Sequence, residues 1–141
     1  MSSWRRKALE LFPDLRASIE APDTTLTLLF IELGREAERA HRSNDDARLE
    51  KVYTFAEWCA RQPARELWNA AGVGFYEHVF DEPSIRQEVA RWLPNDIRAE
   101  HEGLWEHRLK PADLAAVRKV LKVTPPRDRL PRAASRGAAL D

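Results

Sequence analysis

The chain has 141 residues, 43% of them apolar and 33% charged, and its 23 Lys+Arg balance 23 Asp+Glu. That length supports one domain with a core of its own, and the apolar share excludes a wholly disordered chain. The single cysteine, Cys59, excludes an internal disulfide and any Cys-rich zinc site, and it suits a reducing compartment.

Trp4 and the cluster Arg5-Arg6-Lys7 are followed by Pro13 and Asp14 before any apolar h-region forms, so no signal peptide is expected. The longest apolar stretch, 26–33, is interrupted by Thr27 and Glu32. It falls far short of the roughly 20 residues a membrane span needs. The expectation is a cytoplasmic protein with no membrane contact.

Helical spacing dominates the chain. Ser3 is the expected N-cap of a helix running to Phe12 and stopped by Pro13, and Asp14–Glu20 adds two turns. Leu26, Leu29, Phe30, Leu33, Ala37 and Ala40 recur at steps of three and four and so share one face. Leu28 and Ile31 fall on the other side, which marks this as the expected central helix. Ser43-Asn44-Asp45 breaks it and caps a helix over about 45–61, with Leu49, Val52, Tyr53, Ala56 and Ala60 on one stripe and Phe55 and Trp58 off it.

Pro63 introduces a predicted helix over 64–80, in which Gly72 and Gly74 cost about 1 kcal/mol each unless they permit close packing. Pro83-Ser84 opens a short helix with Ile85, Val89 and Trp92 inward. Pro94 ends it, and Asn95 is the expected cap of a helix aligning Ile97, His101, Leu104, Trp105 and Arg108. Pro111 begins a last helix, to about Lys122, with Leu114, Val117 and Leu121 inward. The pattern predicts an all-α fold of six to seven helices, an irregular antiparallel bundle or a short HEAT-like stack. The domain is expected over 1–123. Pro125, Pro126, Pro131, Gly137 and four arginines predict a flexible tail over 124–141.

The zero balance hides a division. Residues 1–107 hold 14 Lys+Arg and 20 Asp+Glu, and residues 108–141 hold 9 and 3. The densest acidic stretches are Glu77, Asp81, Glu82 and Glu100, Glu102, Glu106. They read either as a solvated face or as a docking face for a basic partner, and a third reading folds the basic end back over the acidic body.

Four histidines, His41, His78, His101 and His107, form neither an HExxH nor a two-His-one-carboxylate pattern, and phosphate-binding and nucleophile-elbow motifs are missing. Cys59 reads as a structural thiol. No metal or cofactor is expected. The tail arginines Arg127, Arg129, Arg132 and Arg136 are spaced by prolines without interleaved aromatics, so nucleic-acid recognition is not expected. Trp58 with Phe55 is a candidate interface anchor or a second core face. Trp68 and Trp92 fit core stripes.

The strings Leu11-Phe12-Pro13, Phe55-Ala56-Glu57-Trp58, Asn69-Ala70-Ala71 and Phe75-Tyr76-Glu77-His78 resemble an uncharacterised family of small bacterial helical proteins, over roughly residues 4–109. Such proteins are similar to immunity proteins that accompany secreted toxins. The resemblance implies no catalytic residue. Together these readings lead to the expectation of a non-enzymatic protein-binding module, an immunity protein meeting a basic toxin domain through Glu77, Asp81, Glu82, Glu100, Glu102 and Glu106, with Trp58 and Phe55 as anchors. The alternatives are a small metal- or acid/base-dependent enzyme using His78, Glu77, Asp81 and His101 or His107, and a helical adaptor that oligomerises.

Overall fold

Short polar caps and prolines set the helix boundaries in the computed structural model. It describes residues 1–128, with eight α-helices and no strand among them. Helix α1 (Ser3–Leu11) is capped by Ser2, one residue earlier than expected: its hydroxyl accepts from the Arg5 N–H at 3.4 Å. A 3-10 turn over Pro13–Leu15 leads into α2 (Arg16–Glu20). Thr25 caps α3 (Leu26–Ser43) through the Leu28 N–H at 3.1 Å. That helix ends on Asn44, whose φ of 56° is the left-handed conformation asparagine tolerates. Asp45 then caps α4 (Asp46–Ala60) through the Arg48 N–H at 3.1 Å.

The continuous helix predicted over 64–80 is corrected. Helix α5 (Arg65–Gly74) stops at Gly74, Phe75 breaks the ladder at φ −127°, ψ −66°, and a 3-10 turn follows over Tyr76–His78. Gly74 lies so close to α3 that a Cβ there would stand 3.1 Å from the Phe30 Cβ, and a Cβ on Gly72 would stand 3.4 Å from Leu104. Close packing is therefore what both glycines permit. The break turns Phe75 and Tyr76 inward, and both are buried. A 3-10 turn over Pro83–Ile85 precedes α6 (Arg86–Arg91). Helix α7 (Asn95–Arg108) takes Asn95 as its first residue, with Pro94 rather than Asn95 in the cap position, and α8 (Pro111–Val123) follows.

Helices α3, α4 and α5 pack pairwise on one another, α1 rests on α4, and α8 rests on α6. The central helix is α4, not α3. It buries Leu49, Val52, Tyr53, Phe55, Ala56, Cys59 and Ala60, whereas Leu28 and Ile31 of α3 are 53% and 41% exposed. Phe55 is fully buried between Phe12, edge-on at 6.2 Å, and Phe30 at 5.3 Å. Of the two roles open to it, interface anchor or second core face, Phe55 takes the second, because α1 covers the side of α4 that α3 and α5 leave open; it is not available as an anchor. Trp58 is half-buried against the same core. The tryptophan left 38% exposed is Trp68, which the stripe on α5 had placed inside.

Arginines close the backbone where helices end. Arg5 donates to the carbonyls of Ile19 (2.8 Å), Ala21 (3.2 Å) and Thr24 (2.7 Å), which ties the end of α2 to α1. Arg98 donates to Ala90 (2.6 Å), Leu93 (2.8 Å), Leu121 (2.9 Å) and Thr124 (2.7 Å). One planar fork thereby fastens the end of α6 to the end of α8.

The residues after α8, expected as the start of a flexible tail, are docked as far as Arg127. Thr124 is buried, and the Arg127 N–H donates to the Arg91 carbonyl at 2.7 Å. The Arg127 guanidinium lies 4.1 Å from the centre of the Trp92 ring, with Asp46 at 3.7 Å. The rest of the predicted tail, 129–141, lies outside the described residues.

Two substitutions test this account by urea denaturation. Phe55→Ala is expected to lower the unfolding free energy by about 3–5 kcal/mol, the cost of a cavity at a fully buried aromatic. Arg98→Lys is expected to cost about 2 kcal/mol, because an ammonium cannot serve four carbonyls set around a plane.

Candidate functional site

A cleft of about 360 Å³ opens between α3, the segment 74–85 and α6. Its floor is the aromatic interior of the bundle, formed by Phe30, Tyr53 and Phe75, with Val89 of α6 beside them. Phe30 and Phe75 are 5.9 Å apart, and Phe75 meets Tyr53 edge-on at 5.6 Å. The break at Phe75 creates this cleft, since a straight continuation of α5 would carry the chain past α3 without folding back. Gly34, in the middle of α3, lines it, and a Cβ there would meet nothing within 4 Å.

Among the residues lining the cleft, His41 is a buried polar one. It is 5% exposed, and one ring nitrogen, Nε2, lies 2.8 Å from the Tyr53 hydroxyl. The other, Nδ1, is buried without a hydrogen-bond partner. Burial pushes the His41 pKa down to about 4, against the weaker opposite pull of Glu88 and Asp46, so the imidazole is neutral at pH 7.

The rim is charged. Arg42 pairs with Glu38 at 2.9 Å and with Glu82 at 3.2 Å. Arg108 pairs with Asp81 at 2.7 Å and stands 3.8 Å from Glu77. Burial alone would push the Asp81 carboxyl up, but hydrogen bonds from Arg108 and His78 carry it below the usual carboxylate range. The Ser84 backbone N–H and hydroxyl do the same for Glu82.

Five of the six expected carboxylates are therefore divided between two places. Asp81 and Glu82 line the cleft mouth with Glu77 beside them, whereas Glu102 and Glu106 face α8, where Arg118 stands 3.5 and 2.6 Å from them. Glu100 stands 3.8 Å from the Nε2 of His101. His101 itself is a core residue, its Nδ1 2.7 Å from the Ile97 carbonyl and its ring 4.3 Å from that of Tyr76. His78 is exposed, 3.4 Å from Asp81. Burial pushes the Cys59 thiol up, in keeping with a structural role. Among the described residues, no group of three or more His, Cys, Asp or Glu is placed to hold a metal ion, and no helix is long and apolar enough to cross a membrane.

A family model described as a domain of unknown function, DUF7674, matches residues 5–109. The chain belongs to the DUF7674 family. The match runs from α1 to the end of α7, so every residue lining the cleft lies in the DUF7674 segment, whereas α8 and Arg127 lie beyond it. No curated protein and no solved structure matches the chain.

His41 is one of the four histidines that form no metal or catalytic pattern in the sequence, and it continues the stripe Leu33–Ala37 at the next step of four. A polar residue there reads as a packed one. The signal that marks it is its neutral environment together with the partnerless Nδ1, and both depend on residues far along the chain.

The low pKa makes a signed prediction. The folded value lies near 4, below the ordinary histidine value of 6.5, so the folded state binds fewer protons between those limits. Stability is then full above about pH 6.5 and falls by up to about 1.4 kcal/mol per unit as pH drops towards 4. His101, also lowered by burial, adds to the same slope. The His41 ring resonances are expected to titrate near pH 4 by NMR, and His41→Gln is expected to flatten the acid limb of the stability curve.

Proposed function

We propose that this DUF7674 chain is a non-enzymatic binding module for a basic protein partner and, at its most specific, an immunity protein that neutralises a cognate toxin through an acidic helical surface. The observation that supports this reading is the sharing of arginines. Arg42 is held by Glu38 and Glu82, Arg108 by Glu77 and Asp81, and Arg118 by Glu102 and Glu106. Each set keeps one negative charge after pairing. Over residues 1–128 the totals are 20 Lys+Arg and 22 Asp+Glu, so the basic end reduces the acidic surplus of the body without cancelling it.

A carboxylate has lone pairs for more than one donor. Those already bonded to an internal arginine therefore still accept from a partner's lysine or arginine, and they are held in place to do so. Phe55 has no part in such a surface. Trp68, on α5, is 38% exposed.

The partner to test is the product of the reading frame adjacent to this one, purified with the full chain. Its affinity, measured by titration calorimetry, is expected to weaken between about 50 and 300 mM salt. The triple variant Asp81→Lys, Glu82→Lys, Glu102→Lys is expected to bind at least about tenfold more weakly at low salt, with a flatter salt dependence. Circular dichroism of the variant reports that its fold is kept. An affinity indifferent to both salt and these substitutions overturns the acidic surface, and a neighbour that does not bind removes the immunity reading.

A further inference from the structure

The Trp92 ring has two covers, and they differ in kind. Tyr53, a core residue, stacks on it at 5.4 Å and 13° from parallel. The other cover is the guanidinium of Arg127, a part-exposed side chain 4.1 Å from the ring centre. An indole face is the best of the aromatic seats for a cation, and a planar guanidinium stacks on it. Asp46 stands 3.7 Å from the same guanidinium, and the Arg91 carbonyl accepts from the Arg127 N–H at 2.7 Å. A ring face, a carboxylate and a main-chain acceptor thus meet one arginine.

The arginine is held there by little else. Thr124 is buried and its carbonyl accepts from Arg98, so the chain is firmly anchored up to that point. Pro125 and Pro126 have no N–H to donate, and among the described residues the polar contacts of 125–128 are those of Arg127. Asp46 is 68% exposed, and an ion pair in such surroundings is weak. Residues 125–128 are therefore able to leave the Trp92 ring by a pivot after Thr124, with every helix intact.

The seat and its occupant also come from different parts of the chain. Asp46, Arg91 and Trp92 lie within the DUF7674 segment, 5–109, and Arg127 lies outside it. The family segment here carries a complete seat for an arginine, and the chain's own extension fills it. The Arg91 side chain does not compete for Asp46, since it pairs with Glu88 at 3.3 Å.

We propose that Trp92, Asp46 and the Arg91 carbonyl form a recognition site for an arginine in an extended segment of a basic partner, and that Arg127 keeps this site closed from within until such an arginine replaces it. The choice of a basic partner rests on the protein-binding reading, whereas the site itself is tested on the chain alone.

The probe is the peptide acetyl-Thr-Pro-Pro-Arg-Asp-amide, which copies residues 124–128, together with a version carrying citrulline, the uncharged isostere of arginine. Both are titrated into the full chain, wild type and Arg127→Ala, by calorimetry and by NMR of the tryptophan indole N–H groups. Circular dichroism reports that the variant keeps its helices. Arg127→Ala is expected to bind the arginine peptide at about millimolar Kd or tighter, with the Trp92 indole shifting most. The wild type, and the citrulline peptide on Arg127→Ala, are expected to bind at least about tenfold more weakly. Adding Asp46→Asn to Arg127→Ala is expected to weaken the arginine peptide by about threefold or more. With the product of the adjacent reading frame, Arg127→Ala is expected to raise the affinity at least about fivefold, and Arg16→Ala, which removes a positive charge from α2, less than about twofold.

The site is overturned by absence of peptide binding to Arg127→Ala, by equal binding to the wild type, by equal binding of the citrulline peptide, or by shifts that spare Trp92. Equal gains from Arg127→Ala and Arg16→Ala overturn the closing role of Arg127. Peptide binding without binding of the neighbouring product supports the site and removes that partner. Binding of the product without binding of the peptide removes the site and leaves the acidic surface in place.

Discussion

The stacked pair of Tyr53 and Trp92, rings 5.4 Å apart and 13° from parallel, connects parts of the molecule that have little else in common. On one side of the pair, Tyr53 meets Phe75 edge-on, and through Phe30 and Phe55 the aromatic contacts continue to Phe12 under α1. The Tyr53 hydroxyl reaches His41 in the cleft. On the other side, the face of Trp92 carries the Arg127 guanidinium. Aromatic pairs of this kind contribute about 0.5–1.5 kcal/mol each beyond burial, and their preferred geometries are few. A shift of Tyr53 is therefore felt at the core, at the cleft wall and at the docked residues after α8 together. The cleft keeps its shape because its floor is the core.

Charge is used here to join elements more than to repel them. Arg48 holds Asp14 and Glu36, at 3.1 and 2.7 Å, and Arg61 holds Glu57 and Asp96, at 3.2 and 3.1 Å. These repeat the arrangement of Arg42, Arg108 and Arg118: one cation, two carboxylates, and in most cases two or three different elements. An isolated exposed ion pair contributes about 0–1 kcal/mol, so no single one explains the fold. Their effect is positional. Arg108 sets the loop holding Asp81 against α7, and Arg42 sets Glu82 against α3, which fixes both sides of the cleft mouth. The same sharing leaves an uncompensated carboxylate in each set. An acidic surface and a stapled fold are thus two consequences of one pattern.

This pattern also marks what could and could not be read in the sequence. The cap at Asp45, the prolines and the apolar stripes are local, and they place most helices within a residue or two. The break at Phe75 was not legible, because the stripe Leu67–Ala71–Phe75–Val79 continues through it at helical spacing. The helix ends where Gly74 packs against Phe30, a contact across 44 residues of chain. The choice between α3 and α4 as the central helix failed for a related reason. Leu28 and Ile31 make α3 look apolar all round, but whether a second apolar face is covered depends on a third helix, and α1 lies on α4. Phe55 is in the core and Trp68 is partly exposed by the same logic. The six carboxylates were visible as residues, yet the division of five of them between two places follows from which arginine reaches them.

The extent of the family match, residues 5–109, raises the question of what the following helix adds. If the chain beyond Leu109 were an appendage, its contacts would be few and exchangeable. Instead Arg98, inside the matched segment, spends half of its four hydrogen bonds on the carbonyls of Leu121 and Thr124, and the buried Arg86 reaches Asp113 at 3.2 Å. Val117 is fully buried. Without α8, two donors of a half-buried guanidinium would face outward unpaired, and Arg86 would lose the carboxylate that answers its charge. Trp92, buried in this fold, would lose the cation that covers its ring. Residues 110–127 therefore close a surface that the family segment, in this chain, leaves open. They also bring the arginines that temper its acidity, so structural closure and charge compensation come from the same eighteen residues.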